Sequence, residues 1–223
     1  STERADHIAL VMGDRRITWA EFAQRAQRVA SGLRAAGVGS QERVAFLEKN
    51  SVEHFELFFG AALLNAVCVD VNWRLAPPEV AFIVNDAQAK VLVVGQDFVP
   101  VLDAIADELT VERILVIGGH EKFDDYETWV GEQEAVDPQA PSAPDDVAFQ
   151  LYSSGTTGRP KGVMLSNANF FNLLPTAEDM WEFDADSVNL VAMPLFHIGG
   201  GGWAVAGMYC GATSVIVRDL DHA

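Results

Sequence analysis

The feature that most constrains the fold is a series of short, continuously apolar runs separated by helix-like stretches. Val67 to Val71, Lys90 to Val94 and Ile114 to Ile117 lack the polar–apolar alternation of a strand with one wet face. Strands buried on both faces read this way, and they belong to parallel sheets covered by helices on each side. Arg43 to Leu47 is a further strand. Between the runs lie helical patterns. Thr18-Trp19-Ala20-Glu21 is a capping box. The helix after it places Phe22, Ala26, Val29, Ala30 and Leu33 on one face and stops at Gly37. Asn50 is read as the cap of a second helix, so apolar all round that it should be buried. Further helices are expected from Pro77 or Pro78 onward, over Val99 to Leu109 and over Asn167 to Met180. Gly13-Asp14 marks a hairpin turn near the start. The expected fold class is therefore α/β, with mostly parallel sheets flanked by helices.

A chain of 223 residues, 49% hydrophobic, can bury a sizeable core. Gly131 to Asp146 is acidic and carries three prolines, which makes it the expected boundary. Residues 1–140 then form a first α/β subdomain and 141–223 the start of a second. A net charge of −17 excludes nucleic acid as a partner and limits membrane contact to the peripheral kind. Ser187 to Val217 carries no Asp, Glu, Lys or Arg and is long enough to span a bilayer. Pro194 and Gly199-Gly200-Gly201-Gly202 interrupt it, so it reads as a strand over Val188 to Met193, a loop, a short helix and a strand. Cys68 and Cys210 lie in apolar runs and read as buried free thiols in a reducing, cytoplasmic compartment, with one disulfide between them as the alternative that their spacing does not require. No secretory signal is visible at the charged start of the chain. His7, His54, His120 and His222 read as surface or structural residues, and no Cys/His spacing of a metal site occurs.

The stretch Tyr152-Ser153-Ser154-Gly155-Thr156-Thr157-Gly158-Arg159-Pro160-Lys161-Gly162 follows the apolar run Val147 to Leu151. Its glycines permit close backbone approach to a ligand. Its hydroxyls and backbone N–H groups can line a concave anion site, and Lys161 adds a mobile positive charge. A phosphate-cradling loop is the physical reading. The order of residues departs from the common P-loop, in which Gly-Lys is followed directly by Ser or Thr.

Ser153-Ser154-Gly155-Thr156-Thr157-Gly158 with Pro160-Lys161-Gly162 resembles the signature of the adenylate-forming enzymes, which include acyl-CoA synthetases, adenylation domains and luciferases. Ile17 to Phe22 and the segment with Asn72, Arg74, Leu75 and Glu79 are similar to further motifs of that family and are read as structural. Asn65 stands where the family usually carries Gly, and Asp70 where it often carries Pro. Pro194-Leu195-Phe196-His197 resembles the family's Pro-x-Phe/Tyr-His motif at the acid site.

The resemblance implies fold, chemistry and roles together. A carboxylic acid attacks the α-phosphate of ATP to give acyl-AMP and pyrophosphate, and a thiol, coenzyme A in the favoured case, then displaces AMP. Ser153, Ser154, Gly155, Thr156, Thr157, Gly158 and Lys161 would hold the β- and γ-phosphates. Thr156 or Thr157 would face Mg²⁺. Lys161 and His197 are the catalytic candidates, with Phe196, His197 and Gly201 at the substrate. The glycines after His197 either leave a tunnel for an acyl chain or allow close helix packing, and Trp203 and Met208 line that tunnel or the core. A fatty or other apolar acid is favoured, because the region is apolar and Gly-rich. The chain resembles the N-terminal part of such an enzyme, inactive alone, whose partners include the C-terminal half; a homodimer is compatible. The alternative is a non-catalytic nucleotide- or acyl-binding partner or regulator.

Overall fold

In a computed structural model the chain is described over residues 4–153 and 159–220. It opens with a hairpin, β1 (Ile8–Met12) and β2 (Arg15–Thr18), turned at Gly13 with φ of 57°. Helix α1 (Trp19–Ala35) follows. Its cap is the expected box: Thr18 accepts from the Glu21 amide while the Glu21 carboxylate accepts from the Thr18 amide. Then β3 (Arg43–Leu47), α2 (Val52–Leu63), β4 (Val67–Asp70), α3 (Pro77–Asp86), β5 (Ala89–Gly95), α4 (Val99–Ile105) and β6 (Arg113–Ile117) alternate along the chain. A two-residue β7 (Asp124–Asp125) and a short α5 (Tyr126–Gly131) close this part.

After the proline-bearing stretch come β8 (Val147–Ser153) and β9 (Lys161–Ser166). Helices α6 (Asn167–Leu173) and α7 (Thr176–Trp181) lead to β10 (Val188–Val191), α8 (Ile198–Tyr209) and β11 (Thr213–Ile216).

Among the described residues the strands form two sheets, one of seven in the order β7-β6-β5-β3-β4-β8-β9 and one of four in the order β10-β11-β1-β2. Every pairing among the described residues is parallel except the two hairpins, β1–β2 and β8–β9. The mixed, mostly parallel α/β class is the expected one. The division at residues 140/141 does not coincide with a division between sheets. β8 and β9 extend the large sheet built by residues 43–125, while β10 and β11 add to the sheet opened by β1 and β2. Parallel neighbours need long crossovers, so chain proximity says little about sheet membership.

The large sheet is buried on both faces. Val44, Phe46, Val91 and Val93 pack against α1, α2 and α5, with Leu33 and Trp129 among the covering side chains. Ala45, Leu47, Leu92 and Val94 turn the other way, against α3 and α4. Each fully buried aliphatic or aromatic side chain contributes about 1.5–3 kcal/mol, and this double layer is the main stabilising element. α2 is buried as its composition demands, yet it carries Glu53, His54 and Glu56, each with a partner. Glu56 takes a bidentate grip from Arg25 at 2.8 Å and a hydrogen bond from the Tyr126 hydroxyl at 3.0 Å.

Several local expectations change. Ser51, not Asn50, caps α2, its hydroxyl accepting from the His54 amide. The expected helix 167–180 is two short helices, because Pro175 cannot continue the hydrogen-bond ladder of α6. The strand expected to reach Met193 ends at Val191, and the helix expected to reach Leu109 ends at Ile105 and passes into a 3₁₀ turn. Cys68 is buried as expected, but Cys210 is only half-buried at the end of α8; both are free thiols.

Asn65 and Asp70, the two departures noted above, both have structural reasons. Asn65 sits at φ of 55°, the left-handed geometry Asn tolerates, and its amide donates to Ser40 and to Asp146 at 2.8 Å. It thereby anchors the end of the proline-bearing stretch. Asp70 is buried and accepts from His54 Nε2 at 2.7 Å, with the Cys68 thiol 3.5 Å from its other oxygen. The fold thus gathers a His, a Cys and an Asp that their spacing did not announce. The His54–Asp70 separation is that of a hydrogen bond. Tetrahedral zinc ligands with metal bonds of ~2.1 Å would stand roughly 3.4 Å apart.

Candidate active site

The hairpin β8–β9 carries the Gly- and hydroxyl-rich loop at its tip. Ser153 ends β8 directly opposite Lys161, the first residue of β9. Both are exposed, and Lys161 makes no ion pair among the described residues. The hairpin is tight at its mouth: a Cβ on Gly162 would lie 2.7 Å from the Gln150 amide nitrogen. Tyr152, beside Ser153, donates its hydroxyl to Asp86 at 2.7 Å. Burial and this bond to a carboxylate push the phenol well above its ordinary range, so it stays a neutral donor. Ser154, Gly155, Thr156, Thr157 and Gly158 lie outside the described residues.

Across from the hairpin stands the turn Pro194-Leu195-Phe196-His197, between β10 and α8. Leu195 and Phe196 are buried and His197 is exposed. His197 occupies the N-cap position of α8 through its backbone, its carbonyl accepting from the Gly200 and Gly201 amides at 2.9 and 2.8 Å. Its side chain makes no cap bond, so the imidazole is not spent on the helix. The Phe196 ring lies 4.5 Å from the imidazole and meets Trp73 edge-on at 6.2 Å. Trp73 in turn carries the Arg74 guanidinium stacked at 4.0 Å.

Hairpin and turn enclose one cavity of about 480 Å³, lined among the described residues by Ser153, Pro160, Phe196 and His197 together with Asn72 and Glu79. It lies at the carboxyl ends of β4 and β8, where ligands bind in open α/β sheets. Three of the expected site residues, Ser153, Phe196 and His197, therefore share a cavity. Lys161, paired with Ser153 across the hairpin, does not itself line it. Asn72 and Glu79, read from sequence as structural, face it.

A second cavity of about 370 Å³ adjoins the first through Leu165 and Ile198. Its walls include Phe170, Leu173, Leu174 and Trp203, and its lining is almost wholly apolar. The glycines of α8 divide between the two roles left open above. Gly199 and Gly202 line this cavity. Gly200 and Gly201 serve packing: a Cβ on Gly200 would fall 2.1 Å from the Pro194 carbonyl oxygen, and one on Gly201 3.0 Å from that of Leu195. Gly201 thus supports the turn and lines neither cavity. Trp203 is a wall residue, while Met208 belongs to the core beneath α8.

The profile of the AMP-binding enzyme family matches residues 1–223. The chain belongs to the AMP-binding enzymes. Among relatives, it is 34% identical over 215 residues to a fatty acid–[acyl-carrier-protein] ligase, ScoC, of Streptomyces coeruleorubidus, covering 94% of this chain and 40% of the relative. It is 33% identical over 227 residues to a 3-hydroxybenzoate–CoA ligase of Aromatoleum sp. (strain CIB), covering 95% and 41%. Among solved structures, the anthranilate CoA ligase AuaEII in complex with anthranoyl-AMP superposes with a TM-score of 0.89 at 31% identity, over 97% of this chain and 43% of that one. The chain spans about two fifths of the length of these AMP-binding relatives. Among the described residues, no helix is long and apolar enough to cross a membrane.

Proposed function

We propose that this chain forms the phosphate- and acid-facing part of an AMP-forming acid–thiol ligase. In this reading ATP enters as its Mg²⁺ complex, a carboxylate attacks the α-phosphate to give acyl-AMP and pyrophosphate, and a thiol such as coenzyme A displaces AMP. The observation that carries the reading is the single cavity shared by the β8–β9 hairpin and the His197 turn. The first step brings two anions together, so positioning and charge neutralisation dominate its catalysis. Lys161, with Ser153 and the loop to Gly158, would hold the β- and γ-phosphates, and the Thr156 and Thr157 hydroxyls are the hard oxygen donors Mg²⁺ prefers. His197 would face the acid carboxylate, at the start of a twelve-residue helix whose dipole favours negative charge there.

The adjoining apolar cavity supports a fatty or aromatic acid over a polar one. It offers no charged group to an amino acid's ammonium among its described lining residues. The relatives' names cover both fatty and aromatic acids. Two free thiols fit a reducing, cytoplasmic setting.

The test is pyrophosphate release by the full-length polypeptide that carries this segment, across a panel of straight-chain, aromatic and amino acids. Acid-dependent release with medium-chain or aromatic acids is expected, falling about 10²–10³-fold in Lys161→Ala, the usual range for losing one group that stabilises developing charge. Release that ignores the acid, or that survives Lys161→Ala, would overturn the reading.

A further inference from the structure

We propose that Asn50 is the positioning residue of the His197 turn, a role that rests on the site reading just given. Its sequence position, two residues before α2, marks it as a helix cap. Ser51 does that work, and the Asn50 carboxamide points elsewhere. It is 3% exposed. Its nitrogen donates to the Met193 carbonyl and to the Val217 carbonyl, both at 3.0 Å, and its oxygen accepts from the Leu195 amide at 3.0 Å. Both donors and an acceptor are spent, which is close to all an Asn side chain can offer.

The partners of those bonds give the role. Met193 and Leu195 flank Pro194, which has no N–H of its own. One rigid amide plane therefore holds the peptide group on each side of the proline. The third bond goes to the residue after β11, so Asn50 also joins the ends of two strands of the small sheet to the end of β3 in the large one. The opposite side of the turn is closed by Gly200, whose backbone approaches Pro194 too closely for any side chain. Leu195 and Phe196 are buried immediately downstream, leaving few free torsions before His197. Asn50 does not line the cavity. It acts on the acid site only through the turn it fixes.

Two measurements test this. In hydrogen exchange on the chain, Asn50→Ala should open the amides of Leu195 to His197 and leave those of Val91 to Val94 in central β5 protected. In the full-length enzyme, Asn50→Ala should lower kcat for acyl-AMP formation about tenfold or more, with KM for ATP nearly unchanged. That loss should vanish in a His197→Ala background, since coupled residues are non-additive. Asn50→Asp keeps the size and the Leu195 bond but loses both donors. It should follow Asn50→Ala, and it carries the cycle if the alanine variant opens β5 as well. An equal loss with and without His197, or unchanged exchange at Leu195, would overturn the proposal. Absence of acyl-AMP formation by the unmutated enzyme would instead overturn the functional reading and leave the exchange result to decide the hold on the turn.

Discussion

Gly95 closes β5 beside Glu48, the residue after β3, and the fit there admits no side chain. A Cβ at Gly95 would lie 1.6 Å from a Glu48 carboxylate oxygen. That carboxylate is not free to swing away, since it accepts from the Lys49 amide and from Arg218 at 3.0 Å. Gly95→Ala is therefore expected to destabilise by ~1–3 kcal/mol, the usual cost of overpacking a rigid site. Urea denaturation measures it. The loss should shrink when Glu48 is also cut to Ala, because the obstructing group is then gone; a full loss in the double variant would mean the strain lies in the backbone.

The same carboxylate ties elements together. Arg218, just past β11, bridges Glu48 at the end of β3 and Asp97 after β5, each at 3.0 Å. Burial pushes Glu48 above its ordinary value of 4.5, only partly opposed by the Lys49 amide and Arg218. A raised acid favours its neutral form in the folded state. Its contribution to stability is then full below pH 4.5 and is lost as pH rises through the elevated folded value. Thermal melts from pH 4.5 to neutrality should show the native chain losing Tm relative to Glu48→Gln, whose side chain stays neutral. A constant difference would refute the assignment. At this scale the central strands were readable from sequence, because strands wetted on neither face are continuous apolar runs. The two-residue edge strand β7 was not. The hairpin loop and the His197 turn were readable as motifs. Asn50 was not, since two of its partners lie 143 and 167 residues away and only folding brings them near.

Over the molecule as a whole, the four sheet edges differ in kind. β7 is short and acidic and β2 begins with two exposed arginines, both ordinary ways of blunting an edge. β9 and β10 are not blunted: Val163 and Met164 on one, Val188 and Leu190 on the other, are 44–68% exposed. The isolated chain should therefore bind an apolar dye and self-associate with rising concentration, despite a net charge of −17. Val188→Lys with Leu190→Lys should reduce both signals in dye titration and sedimentation without lowering Tm; unchanged association would place the sticky surface elsewhere.

The pairing of Leu10 with Ser214 carries a last consequence, for synthesis. The parallel neighbour of β1, β11, is translated roughly 200 residues after it. At ~5–20 residues per second the hairpin waits on the order of 10–40 s for that neighbour. Throughout that interval Ala9 and Leu10, fully buried in the finished fold, have no sheet to enter. The large sheet can build strand by strand as its βα units emerge. The small one closes only when β11 joins a hairpin made long before it.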